Sequence, residues 1–156
     1  MADESAKLLD GIGRKILQEL QENGRMPFTE LGKRVGLSTP AVMDRVRRLE
    51  DAGIIKGYRA EVNVAKMGYP IQAFIAVNVV GDFMPRMSKL AKSIPEILEC
   101  HRVTGSNTFM IKVIAASVEE LEKTIDRLTP YVATTTSLVL SSLVDRRSIE
   151  PKFKKS

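Results

Sequence analysis

Apolar residues recur at helical spacing through the first third of the chain, and the remainder alternates strand-like and helix-like patterns. Leu9, Ile12, Ile16, Leu17 and Leu20 form one stripe that stops at Asn23-Gly24, which predicts a first helix. Pro27 opens a second, short helix over Phe28 to Val35, with Leu31 and Val35 on one face and Gly36 beyond its end. Proline suits that start because the N–H it lacks would be unpaired there anyway. Ser38 is a good N-cap for a third helix over Thr39 to Ala52, with Pro40 in its first turn and Gly53 closing it. Ile54 to Ala60 follows as a short extended pair or wing, and residues 61–70, with Gly68 and Pro70, as a linker.

From Ile71 the pattern changes. Ile71 to Val80 reads as a strand apolar on both faces, with Ile71, Ala73, Ile75, Val77 and Val79 on one and Phe74, Ala76 and Val80 on the other. Pro85 to Ile94 is an amphipathic helix carrying Met87, Leu90, Ala91 and Ile94. Strands over Ile97 to Thr104 and Thr108 to Ala115 flank a turn at Gly105-Ser106-Asn107. A second helix, Val118 to Leu128, and a last strand, Val132 to Val144, complete a β-α-β-β-α-β order, the ferredoxin-like split motif. The expected fold is therefore α+β, divided into a helical domain over 1–60, a linker over 61–70, a ferredoxin-like domain over 71–145, and a basic tail over 146–156 that should fray. In that topology the helices cover one sheet face, and a second copy packing sheet against sheet is the simplest cover for the other.

The apolar fraction of 44% and charged fraction of 28% mark a globular chain rather than a disordered one. Aromatic residues are scarce and Trp is absent, so the cores must be built from Ile, Val, Leu, Met and Ala. A net charge of +5 fits a polyanionic partner without demanding one, because acidic residues number 19 against 24 basic. The single Cys suits a reducing compartment, the start MADESAKLLD lacks a basic signal-peptide n-region, and no apolar run reaches membrane length. The expected location is cytoplasmic, away from any membrane.

The second and third helices, joined by a tight turn, form a helix-turn-helix pattern that places the third in the major groove of double-stranded DNA. At about 100° per residue, Val42, Val46 and Leu49 face the core, while Ala41, Asp44, Arg45 and Arg48 cluster on the flank. Ser38, Thr39 and Pro40 stand at the exposed N-terminal end, which reaches base edges, and Ala41 permits close approach. Arg45 and Arg48 are candidates for two-pronged contacts to guanine or for phosphate clamps. Arg47, pointing elsewhere, is a candidate phosphate contact, and Arg25, Lys33 and Arg34 could hold the backbone. Charge alone would favour a solvated helix face paired with Glu50 and Asp51; the spacing decides for DNA.

The stretch from Leu37 to Tyr58, LSTPAVMDRVRRLEDAGIIKGY, closely resembles the signature of the Lrp/AsnC (feast/famine) regulators. Leu9-Asp10, Ile16-Leu17, Gly24-Arg25 and Glu99-Cys100-His101-Arg102-Val103-Thr104-Gly105 match as well. The resemblance implies a winged helix-turn-helix followed by a ferredoxin-like (RAM-type) effector domain. It also implies dimers that assemble into octamers of four dimers, and control of amino-acid metabolism genes by free amino acids. By the same resemblance the effector would lie between dimers, near Gly105, Ser106, Asn107 and Thr108 and near Thr134, Thr135, Thr136 and Ser137 on the last strand. Backbone N–H groups of the turn and the hydroxyls would meet an amino acid's carboxylate. Family members carry an Asp before the aromatic residue of this turn; here Thr108 precedes Phe109, which removes an ammonium partner and makes an altered, weak or absent effector an open alternative.

Cys100 and His101 are adjacent on a strand, so their side chains point to opposite faces and form no nucleophile–base pair. With one His and one Cys, a metal site is poorly supplied, and Gly11 and Gly13 lie within a helix pattern rather than a phosphate loop. No catalytic set, metal or cofactor is expected. The remaining alternative is an architectural DNA-coating protein, built from the same parts but of low specificity.

Overall fold

The computed structural model describes residues 7–79, 84–128 and 133–152. They fall into two compact units: residues up to Glu61 together with those from Val144 onward, and Val62–Leu143.

The first unit holds α1 (Gly11–Glu22), α2 (Phe28–Val35) and α3 (Thr39–Asp51). Ile16, Leu20, Leu31, Val42, Val46 and Leu49 meet in one core, with Leu9, Met26 and Val35 completing it. Asp10 caps α1, its Oδ1 accepting the Gly13 N–H at 2.8 Å. Ser38 caps α3 by accepting the Ala41 N–H at 3.4 Å. Between α2 and α3 the turn folds tightly back: the Leu37 N–H donates to the Gly32 carbonyl at 2.9 Å.

Two expectations change in this unit. No strand forms over 54–60; Ile54 and Ile55 instead pack against the helical core, and their N–H groups donate to the Leu49 carbonyl at 2.9 and 3.0 Å. Apolar side chains at two successive positions thus serve to close α3 rather than to start a strand. The tail does not fray across its described part. The Gln21 side-chain amide donates to the Ile149 carbonyl and accepts the Ile149 N–H, both at 3.0 Å, and Arg146 lies 3.4 Å from Glu61.

The second unit carries a short 3-10 turn (Ala65–Met67), β1 (Ile71–Asn78), α4 (Met84–Ser93), β2 (Ile97–Arg102), β3 (Phe109–Ala115), α5 (Val118–Leu128) and β4 (Ala133–Leu138). Residues 80 and 132, placed in strands by the sequence, lie outside the described residues. The sheet order is β2-β3-β1-β4, with every neighbouring pair antiparallel, as the split motif requires. Ala73, Ile75 and Val77 from β1 and Phe109, Ile111, Val113 and Ala115 from β3 bury one face against Met87, Ile94, Leu121 and Leu128. An irregularity between Ile97 and Glu99 lets Ile97 and Cys100 both contribute to this core.

The other face of β1 is less uniformly apolar than the strand pattern suggested. Phe74 is exposed there, Ala76 and Gln72 are half-buried, and Met110 and Lys112 line it from β3. Glu99 and His101 pair across to Lys112 and Met110 from β2, and Glu99 accepts from His101 at 3.0 Å and from Lys112 at 3.4 Å. The carboxyl of Glu99 is held below its ordinary value, chiefly by the His101 hydrogen bond, with Lys112 adding to it.

Candidate nucleic-acid interface and ligand site

The core positions of α3 fix which residues meet solvent. With Val42, Val46 and Leu49 buried, Pro40, Met43, Asp44, Arg47, Arg48, Glu50 and Asp51 are exposed, while Thr39, Ala41 and Arg45 are half-buried on its flanks. Ser38 is exposed at the entry to the helix. Met43 and Phe28 add apolar surface to a groove also lined by Arg47 and Glu50.

Each arginine on α3 has an acidic neighbour. Arg48 Nε lies 2.9 Å from Asp44, and Arg47 Nε lies 3.8 Å from Asp51, both one turn away on the same helix. Arg45 reaches farther: its Nη1 donates to Oδ1 and Oδ2 of Asp10 at 2.8 and 2.9 Å. Burial pushes the Asp10 carboxyl up, but the Gly13 N–H and the Arg45 guanidinium outweigh it, and the net shift is downward. Arginines and carboxylates therefore balance on this helix, so phosphate attraction must draw on its surroundings. Arg25 and Lys33 are exposed in the same unit, and neither side chain has a partner among the described residues. Arg34 does not join them as a free cation, because Glu30 and Glu19 hold it at 2.6 and 2.9 Å.

At the C-terminal end of α3, the Tyr58 hydroxyl donates to Glu50 at 3.0 Å. Burial, with the Glu50 carboxylate beside it, pushes the Tyr58 phenol up to about 12. This bond anchors the segment after α3 to the helix that carries the arginines.

In the second unit, the Gly105–Thr108 turn and the start of β4 converge on the end of β1. The Thr108 N–H donates to the Val77 carbonyl at 2.8 Å, and Thr134 is the β4 partner of Val77. Thr108 Oγ1 accepts the Val79 N–H at 3.2 Å and donates to Asn78 Oδ1 at 3.4 Å. Gly105 sits at φ 113°, a conformation closed to side-chain-bearing residues, so the turn depends on it. The four β4 residues divide by strand alternation: Thr134 and Thr136 are half-buried, whereas Thr135 and Ser137 are exposed on the opposite face. Ser106 is exposed and Asn107 half-buried. Two residues were missed by sequence reasoning. Asn78 is a polar break near the end of an apolar strand, a visible but unused signal, whereas nothing local in the sequence marks Asp10 as a partner of Arg45.

Among the described residues no group of three or more His, Cys, Asp and Glu side chains could hold a metal ion. No helix there is long and apolar enough to cross a membrane.

A capped recognition helix in a helix-turn-helix, and a four-stranded α+β unit with a polar turn at one sheet end, define a DNA-binding regulator with a ligand-binding domain. Residues 9–56 match the winged helix-turn-helix DNA-binding model and residues 72–149 the Lrp/AsnC ligand binding domain. The HTH-type transcriptional regulator LrpC of Bacillus subtilis is 36% identical over 86% of this chain and 94% of its own. A Neisseria meningitidis transcriptional regulator solved with L-Met superposes with a TM-score of 0.86 at 31% identity, covering 90% of this chain and 96% of that one. AsnC of E. coli superposes with a TM-score of 0.82 at 30% identity, over 91% and 98% of the two chains. The chain belongs to the Lrp/AsnC family of DNA-binding transcription regulators.

Proposed function

We propose that this regulator binds specific duplex sites with α3 in the major groove and answers to a free amino acid at the Thr108 end of its sheet. The observation that carries the DNA reading is the capped, core-anchored α3, which leaves Pro40, Asp44, Arg47 and Arg48 facing outward. Ser38, Thr39 and Ala41 set its approach to the base edges, Arg45 and Arg48 contact bases or phosphates, and Arg25, Lys33 and Arg47 hold the backbone.

The ligand reading draws on the relative solved with L-Met and on the polar cluster around the end of β1. The N–H groups of Gly105, Ser106 and Asn107, with the hydroxyls of Thr135 and Ser137 on one sheet face or of Thr134 and Thr136 on the other, suit a carboxylate, and Thr108, bonded to Asn78, closes the cluster. Asn78 Oδ1, already accepting from Thr108, is an acceptor beside the position where the family resemblance leads one to expect an Asp. The protein works as a dimer, with octamers built from it. Support comes from exposed Phe74 on the open sheet face, from Leu138 at the end of β4, and from Leu140, Leu143 and Val144 at 60–96% exposure beyond it. That much apolar surface is unusual on an isolated subunit.

Titration onto the DNA upstream of its own gene, with and without excess non-specific competitor and at two salt concentrations, tests the proposal. Binding that survives the competitor supports it. Binding abolished by competitor, with a steep salt dependence, means a DNA-coating role instead.

A further inference from the structure

Asp10 lies outside the two helices of the helix-turn-helix, yet one of its contacts reaches the reading helix. Its Oδ1 caps α1 through the Gly13 N–H, and both oxygens together hold Nη1 of Arg45. A guanidinium carries five N–H donors in one rigid plane, two of them on Nη1. Asp10 takes one of these, shared between its two oxygens, which lie too close together to meet both. The three on Nε and Nη2 meet no acceptor among the described residues, and a third of the side chain remains open to solvent. Arg47 and Arg48 differ, because each turns its Nε toward an aspartate on its own helix.

The geometry points to Asp10 as a positioning residue for DNA recognition: it fixes Arg45 so that the Nε–Nη2 edge stands ready for a planar pair of acceptors. Guanine O6 and N7 form such a pair in the major groove, and two phosphate oxygens form the same shape. A free arginine side chain loses rotamer entropy on being immobilised. Here that loss falls in folding rather than in binding. The adjacent carboxylate also offsets the arginine's charge, so the contact depends more on acceptor geometry than on attraction to phosphate. Of the two acceptor pairs, guanine is therefore favoured. This inference rests on α3 entering the major groove.

The test begins with selection of duplexes from a randomised pool by the full chain, followed by affinity measurements on the selected site and on each single-base variant of it. Asp10→Asn keeps a good N-cap but removes the charge and one of the two acceptors for Arg45. Arg45→Lys keeps the charge and leaves the cap of α1 untouched, so it carries the comparison if the first variant loses helix signal. The wild-type chain is expected to show a guanine position whose replacement weakens binding about tenfold. In both variants that penalty should collapse by more than any change in affinity for random duplex, which Asp10→Asn, with one carboxylate fewer, should raise rather than lower. Undiminished base penalties in the variants overturn the inference. So does a parallel loss on selected and random duplex, which would put Arg45 on phosphate. A wild-type chain that enriches no sequence overturns the specific-regulator reading itself, and is told apart by appearing before any variant is made.

Discussion

The carbonyl oxygen of Leu37 lies 2.7 Å from the point where a Cβ on Gly32 would stand. Backbone, not a movable side-chain end, occupies that space, and the same turn is tied by the Leu37 N–H to Gly32 carbonyl bond. A methyl group there must push the turn away from α2 and tilt α3. Gly32→Ala should therefore cost about 1–3 kcal/mol. A thermal melt followed by helical circular dichroism should show the loss, with DNA affinity falling alongside it; an unchanged melt would mean the turn can yield freely.

Lys33 is exposed, with no partner for its side chain among the described residues, and Arg47 is held only loosely at 3.8 Å from Asp51. If both meet phosphates, Lys33→Ala and Arg47→Ala should each weaken binding to all duplexes alike. The slope of log affinity against log salt should also fall by about one for each. Sequence-dependent losses in either variant would move that residue from backbone to base contact.

Ile75 is fully buried at the centre of β1, between β3 and β4. Ile75→Ala should destabilise the second unit by about 2–5 kcal/mol. Hydrogen exchange of the sheet amides, which resolves one unit from the other, is the measurement that checks it.

The Tyr58–Glu50 bond makes an alkaline prediction. Because the phenol's pKa is about 12 in the fold, above the roughly 10 of an unfolded tyrosine, its contribution is complete below pH 10. It is lost as pH climbs from there to about 12. Tyr58→Phe should remove this part of the alkaline fall in stability, and the ultraviolet titration of tyrosinate should lose a component near pH 12. The Asp10 carboxyl, lowered in the fold, works in the opposite direction: its contribution is present above the ordinary carboxylate range and lost on acidification below it.

Thr108 stands where the family resemblance leads one to expect an Asp, and its hydroxyl is bonded to Asn78 and Val79. Thr108→Asp should supply an ammonium partner and tighten amino-acid binding roughly tenfold. Calorimetric titration with the twenty amino acids, on both proteins, would show it. Equal affinities would place the ammonium elsewhere.

Much of the fold was legible because its signals are local. α2 and α5 have the bounds read from the sequence, since Pro27 and Gly36 flank one and a polar-to-apolar stripe from Val118 to Leu128 defines the other. β4 stops at Leu138, six residues short of the expected end. Its residues favour strand beyond that point, but β1 begins at Ile71, and the Val139 N–H to Gln72 carbonyl bond comes one residue from its start. A strand's length is thus set by its neighbour, which periodicity does not report. The same holds for the site. Helical spacing shows which side of α3 faces outward, but the Asp10–Arg45 contact spans 35 residues and the Gln21–Ile149 contact 128. No period links such pairs.

The return of the chain to α1 at Ile149 makes the DNA-binding unit discontinuous along the polypeptide. During synthesis the three helices can pack as soon as they clear the ribosome, but their last contacts wait until the ligand-binding sheet has also been made. A gene cut after codon 61 would thus encode an unfinished unit, and a label fused after Lys152 would hang from the reading head rather than from the sensor.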